Sequence, residues 1–161
     1  MKMKINYIVI PLITALTAFL GSRFTTSGIG SGWYDFIAKP SWTPDGSIIG
    51  AVWTILFILA TISALIFYNK AFGGKRFNWT IAIFLLNAFL NVFWSFLFFK
   101  QHILGLATIE AGLLGVSVIA LIFLIWEKEE KLLKTASLLL VPYALWVSFA
   151  TYLTYAVWTL N

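Results

Sequence analysis

Cysteine is absent from the 161 residues, histidine occurs once, and charged residues make up only 11% of the chain. Without cysteine there can be no disulfide, thiolate nucleophile or cysteine-ligated metal. The lone His102 falls at a helix boundary, where an interfacial role suits it better than ligation of a haem, and no metal site is expected. A soluble domain of this size carries about 25% charge, so the shortage of charge excludes an ordinary soluble fold. Also missing are a glycine-rich phosphate loop, a Ser/His/Asp set and any pair of carboxylates within one apolar run, which leaves hydrolase and nucleotide chemistry without support.

What is abundant is apolar sequence, 61% of the residues, at a mean hydropathy of +0.93. A spanning helix needs about 20 apolar residues, and five intervals nearly free of charge qualify. They predict one all-α integral membrane domain over 1–161, a bundle of five transmembrane helices at 5–22, 47–69, 78–99, 103–126 and 134–158. The runs are far longer than the roughly 10-residue alternating segments of a β-barrel. The first run follows Lys2 and Lys4, but Pro11 lies inside it and no Ala-x-Ala site follows before Arg23, so it reads as a span rather than a signal peptide. Short connections predict that sequential helices pack as antiparallel neighbours.

Lys2, Lys4, Lys70, Lys75, Arg76, Lys128, Lys131 and Lys134 fall on one side of such a bundle, against Arg23, Lys39 and Lys100 on the other. This bias predicts a cytoplasmic N-terminus and an outer C-terminus. It also accounts for most of the net charge of +5 without invoking nucleic acid. The mixed-sign cluster Glu127–Lys131 reads as a solvated turn.

A long structured loop, from about Arg23 to Asp45, is expected between helices one and two. Its Thr/Ser/Gly-rich first half, Thr25 to Gly32, should bend freely, with Gly28, Gly30 and Gly32 as a hinge. In the second half Trp33, Phe36 and Ile37 have the i, i+3, i+4 spacing of one face of a short helix, which Pro40 ends. Together they describe a rigid flap at a membrane boundary.

Eight tryptophans are present. Trp79, Trp126 and Trp158 suit an interfacial belt, whereas Trp53, Trp94 and Trp146 lie well inside their runs. Trp53 with Phe57, Asn87 with Asn91 and Trp94 or Ser95, and Trp146 with Ala150 and Leu153 form three helical stripes. Converging, they would wall an aromatic cavity for a flat, mostly apolar ligand; apart, they would be packing or lipid-facing aromatics. Asn87 and Asn91 must point inward, because an unpaired amide in hydrocarbon costs several kcal/mol. They either meet a ligand or join helices.

Glu110 is the one acid within a span. It is a proton-relay candidate by default and equally a structural acid, since helix four offers it no partner. Gly46-x-x-x-Gly50 and the series Ala107, Ala111, Gly115 let backbones approach closely, within the bundle or across a dimer. Pro11 and Pro142 should kink helices one and five.

Lys39-Pro40-Ser41-Trp42-Thr43-Pro44, Gly50-x-x-Trp53-x-x-x-Phe57, Leu90-Asn91-x-x-Trp94-x-x-x-Phe98-Phe99 and Pro142-Tyr143-x-x-Trp146-x-x-Phe149-Ala150-Thr151-Tyr152-Leu153 occur in this order across the chain. This pattern resembles the TspO/MBR family, the tryptophan-rich sensory and translocator proteins also known as peripheral-type benzodiazepine receptors. The resemblance implies a five-helix receptor or sensor in a bacterial cell membrane, with a pocket under the first loop between helices one, two, three and five. Its lining would include Tyr34, Pro44, Trp53, Phe57, Asn91, Trp94, Trp146 and Ala150, with Asn87 beside them.

Members of the family bind porphyrins and drug-like hydrophobic molecules. A tetrapyrrole such as protoporphyrin IX or haem is therefore the expected ligand, no cofactor is required, and the lipid bilayer and a second copy in a homodimer are the expected partners. Light- or oxygen-dependent porphyrin breakdown, with Trp53 and Trp146 as candidate catalytic residues, is the alternative, and a transporter or assembly subunit is a third reading. This chain departs from the pattern at Asp45, where many members have a second proline, and at Asn87, where animal members often have glutamine. The animal cholesterol-recognition pattern needs a cation soon after the helix-five tyrosine. Here Tyr152 and Tyr155 are followed by none, which puts cholesterol binding in doubt.

Overall fold

The computed structural model describes residues 4–71, 73–127 and 129–161; Lys2 and Lys128 of the charge count lie outside them. The described residues form α1 (Asn6–Gly30), a short α2 (Trp33–Phe36), α3 (Gly46–Lys70), α4 (Gly74–Ser95) continued by a π turn at Phe96–Lys100, α5 (Leu104–Ile125), α6 (Lys131–Leu138) and α7 (Val141–Leu160). Five stretches are long and apolar enough to cross a membrane: α1, α3, α4 with its π turn, α5, and α6 with α7. Their outward surfaces carry exposed Leu12, Leu16, Ile55, Phe89, Leu113 and Phe123, as a bilayer requires and water would penalise.

The helices close into a ring. α1 packs on α3 and α4, α4 on α5, α5 on α7, and α6 on α3 and α5. Neighbours in sequence are thus neighbours in space at three of the four connections. The second and third spans meet instead through aromatic side chains near one end: Phe67 of α3 stacks on Phe77 at 5.6 Å between ring centroids and approaches Phe84 at 6.4 Å, and Tyr68 meets Phe77 at 5.6 Å. Closing the ring through the fifth span leaves these two helices apart.

That fifth span is broken rather than kinked. A proline lacks the N–H for helical bonding and its ring clashes with the carbonyl four residues earlier. Pro142 falls in the first turn of α7, and α6 ends at Leu138, four residues before it. Hydroxyls hold the short segment: Ser63 Oγ donates to the Ala136 carbonyl at 2.8 Å and Ser137 Oγ to the Ile122 carbonyl at 2.8 Å. After the break the chain leans away from α3, which packs well on α6 and lightly on α7. By contrast, α1 runs without interruption through Pro11.

The small-residue series Ala107, Ala111, Gly115 is spent within the bundle. Ala107 and Ala111 are buried, and a Cβ on Gly115 would meet Val147 of α7 at 3.4 Å. A Cβ on Gly46 or Gly50 would meet nothing within 4 Å, so this pair is not a close helix contact within the bundle.

The first loop differs most from expectation. Helix α1 continues eight residues past 22, so Thr25–Gly30 is helical and the expected free-bending half does not exist. Gly28 is no hinge: a Cβ there would stand 2.7 Å from Cβ of Phe99, and its absence lets α1 seat against the π turn. Of the three expected hinge glycines only Gly32, at φ +77, takes a backbone position that favours glycine. The connection proper therefore runs from Ser31 to Asp45.

Candidate functional site

Between α1, α3, α4, α5 and α7 lies a cavity of about 570 Å³, within the roughly 300–1,000 Å³ typical of small-molecule sites. Trp53 and Phe57 line it from α3, Asn91 and Trp94 from α4, Ala111 and Leu114 from α5, and Trp146 and Ala150 from α7. Phe98 and Phe99 of the π turn close one end, and Tyr34 and Thr43 reach it from the connection above. Of the nine residues expected to meet a ligand, seven border this space: Tyr34, Trp53, Phe57, Asn91, Trp94, Trp146 and Ala150. Pro44 does not, its neighbour Thr43 taking the place, and Asn87 stands behind the wall.

Asn87 is instead the centre of a buried amide network joining three helices. Its Nδ2 donates to Ser117 Oγ on α5 at 2.9 Å, and its Oδ1 accepts from the Tyr143 hydroxyl on α7 at 3.1 Å. Asn91 Nδ2 donates to the same Tyr143 oxygen at 2.5 Å and to the Asn87 carbonyl at 2.8 Å. Both amides are therefore helix-joining, and Asn91 also faces the cavity. Two indole donors in the wall, Nε1 of Trp94 and of Trp146, are buried without a hydrogen-bond partner among the described residues. So are both carboxyl oxygens of Glu110.

Helix one contributes a surface that the aromatic stripes did not announce. Thr17, Gly21, Thr25 and Ile29 recur every fourth residue and, with Ala18 and Ser22, line the cavity. The signal was a run of small and hydroxyl residues on one face of an otherwise apolar helix. Extension of α1 to Gly30 makes the upper half of that wall.

The connection 31–45 forms a lid pinned on two sides. Trp33 stacks flat on His102 at 3.9 Å and 8°, and meets Phe98 edge-on at 5.6 Å. His102, at φ +59, reverses the chain between the π turn and α5. On the other side Trp42 stacks on Tyr152 of α7 at 5.4 Å and 8°. Asn161 then pairs with the backbone of Ala38: Oδ1 accepts from its N–H at 3.0 Å and Nδ2 donates to its carbonyl at 2.9 Å.

Within the lid, Lys39 Nζ donates to the carbonyls of Tyr34 and Ile37 and lies 4.5 Å from the Tyr34 ring centroid. Burial, and secondarily the Asp35 carboxylate, raise the Tyr34 phenol above its ordinary pKa, so it meets the cavity as a neutral hydroxyl. Trp33 and Ile37 face the protein, while Phe36 is 90% exposed; the expected three-residue face is a two-residue one. The helix ends at Phe36 and Ile37 is already extended, so helical spacing does not set the side on which Ile37 lies.

Comparison with known proteins shows which family the chain resembles. The model of the TspO/MBR family matches residues 8–159. The chain is 41% identical to the tryptophan-rich protein TspO of Bacillus cereus over 130 residues, 80% of each chain. Identity to the tryptophan-rich protein TspO of Archaeoglobus fulgidus is 34% over 162 residues, 99% of each chain. Against the human translocator protein it is 32% over 152 residues, 93% of this chain and 86% of the other.

Proposed function

The chain belongs to the TspO/MBR family, and from that premise we propose that it is a membrane receptor for porphyrins and related flat hydrophobic molecules, bound in the lidded cavity. One observation carries the proposal: three tryptophans from three helices border a single space of about 570 Å³. Aromatic faces offer a planar ligand stacking and burial in the same contact. Tyr34, Thr43 and Asn91 add a few polar groups to fix its orientation. The excess of Lys and Arg on the N-terminal side supports a lid on the outer side of a bacterial cell membrane, and a second copy in a homodimer is the partner this reading includes.

Titration of purified protein in detergent with protoporphyrin IX, followed by the porphyrin absorbance band, tests the reading. Joint Trp53→Ala and Trp146→Ala substitution is expected to weaken binding at least tenfold, whereas unchanged affinity would place the site elsewhere. A second reading, porphyrin breakdown in light, draws on Trp53 and Trp146 as redox-capable side chains bordering the same space. It requires product in molar excess over protein, and bleaching that stops at one equivalent argues for binding alone.

A further inference from the structure

The α4–α5 seam carries two unpaired polar groups of complementary kind. The Asn87 to Ser117 hydrogen bond, 2.9 Å long, fixes the register of these antiparallel helices. Seven residues on from Asn87 is Trp94, and seven back from Ser117 is Glu110. Seven residues are two helical turns short by about 20°, and each residue rises about 1.5 Å. Trp94 and Glu110 therefore face each other across the seam as Asn87 and Ser117 do, about 10 Å nearer the lid.

The Trp94 Nε1–H is a buried donor without an acceptor, and Glu110, 3% exposed, offers two carboxyl oxygens without a partner among the described residues. Leaving such groups unsatisfied is costly, while a direct bond between them would satisfy both. Trp94 borders the cavity on its other side, and so do Ala111 and Leu114, which flank Glu110 on α5. By helix register, then, the indole has the cavity on one side and the acid across the seam on the other.

We propose that Glu110 is a positioning residue for the ligand site: a planar ligand stacked on Trp94 presses the indole toward α5, where its N–H closes a hydrogen bond with the Glu110 carboxyl. The acid touches no ligand. It fixes the plane of the ring that does, and it gives an isolated intramembrane acid a use that needs no proton relay. The proposal rests on the reading of the cavity as a porphyrin site.

The test is a double-mutant cycle on protoporphyrin IX affinity in detergent, with thermal unfolding of every variant measured alongside. Glu110→Leu is expected to weaken binding about 5- to 10-fold, the worth of one hydrogen bond, in the parent and not at all in a Trp94→Phe background. Glu110→Gln, which keeps an acceptor oxygen, should stay within about 3-fold of the parent. The N–H vibrational band of Trp94, identified by its loss in Trp94→Phe, should shift on adding porphyrin in the parent and in Glu110→Gln but not in Glu110→Leu. Equal losses from Glu110→Leu in both backgrounds, or a band that porphyrin leaves unmoved in the parent, would overturn the positioning role and leave the porphyrin site standing. A parent protein that binds no porphyrin would overturn both.

Discussion

Gly28 and Gly30 are two residues apart in α1, and their surroundings make them opposites. At Gly28 an added methyl would meet the Phe99 backbone and side chain at 2.7 to 2.9 Å; at Gly30 it would meet nothing within 4 Å. Gly28→Ala should therefore destabilise the protein by about 1–3 kcal/mol, the usual cost of overpacking. Gly30→Ala should be neutral or stabilising by about 0.5–1 kcal/mol. Thermal unfolding in one detergent compares them directly. Tyr143→Phe should cost about 1–3 kcal/mol, because a hydroxyl shared by Asn87 and Asn91 disappears from a side chain that is 1% exposed. At this scale the sequence was informative about what must be inside and silent about partners. The two asparagines had to face inward, but Ser117 and Tyr143 lie 30 and 56 residues from Asn87, beyond any local pattern.

Among the elements, the spans were legible because a bilayer demands long uncharged runs, and those runs are what α1, α3, α4, α5 and the α6–α7 pair supply. Boundaries were harder to read. Arg23 marks a charge, not a helix end, and α1 runs seven residues beyond it because its hydroxyl and glycine face has the cavity and Phe99 to pack against. The π turn at Phe96–Lys100 has no local signature beyond a crowd of phenylalanines. The lid was legible in outline through Trp33, Trp42 and the prolines, but the Asn161–Ala38 pair was not, being a contact across 123 residues. Asn161→Ala removes both of those bonds. Hydrogen exchange at residues 33–44 should then quicken while residues 25–30, helical in their own right, stay protected; equal change in the two segments would mean that lid and helix open as one unit. In the unaltered protein, porphyrin should slow exchange at 33–44 and leave 25–30 as they were.

As a whole, the molecule is a ring of helices that leans open on one side. Its break before Pro142 turns α7 off α3, the small face of α1 leaves room opposite, and the lid covers what results. The central claim is that this space is where a tetrapyrrole binds. Gly50 offers a direct way to ask, since it borders the cavity and a Cβ there would meet nothing within 4 Å. Gly50→Trp should fold with a melting temperature at or above that of the parent while filling the site. The deciding measurement is the dissociation constant for protoporphyrin IX in this variant beside the parent, by absorbance titration in the same detergent. A loss of tenfold or more in a protein that melts as the parent does is the predicted result, and an unchanged dissociation constant in that protein would contradict the account.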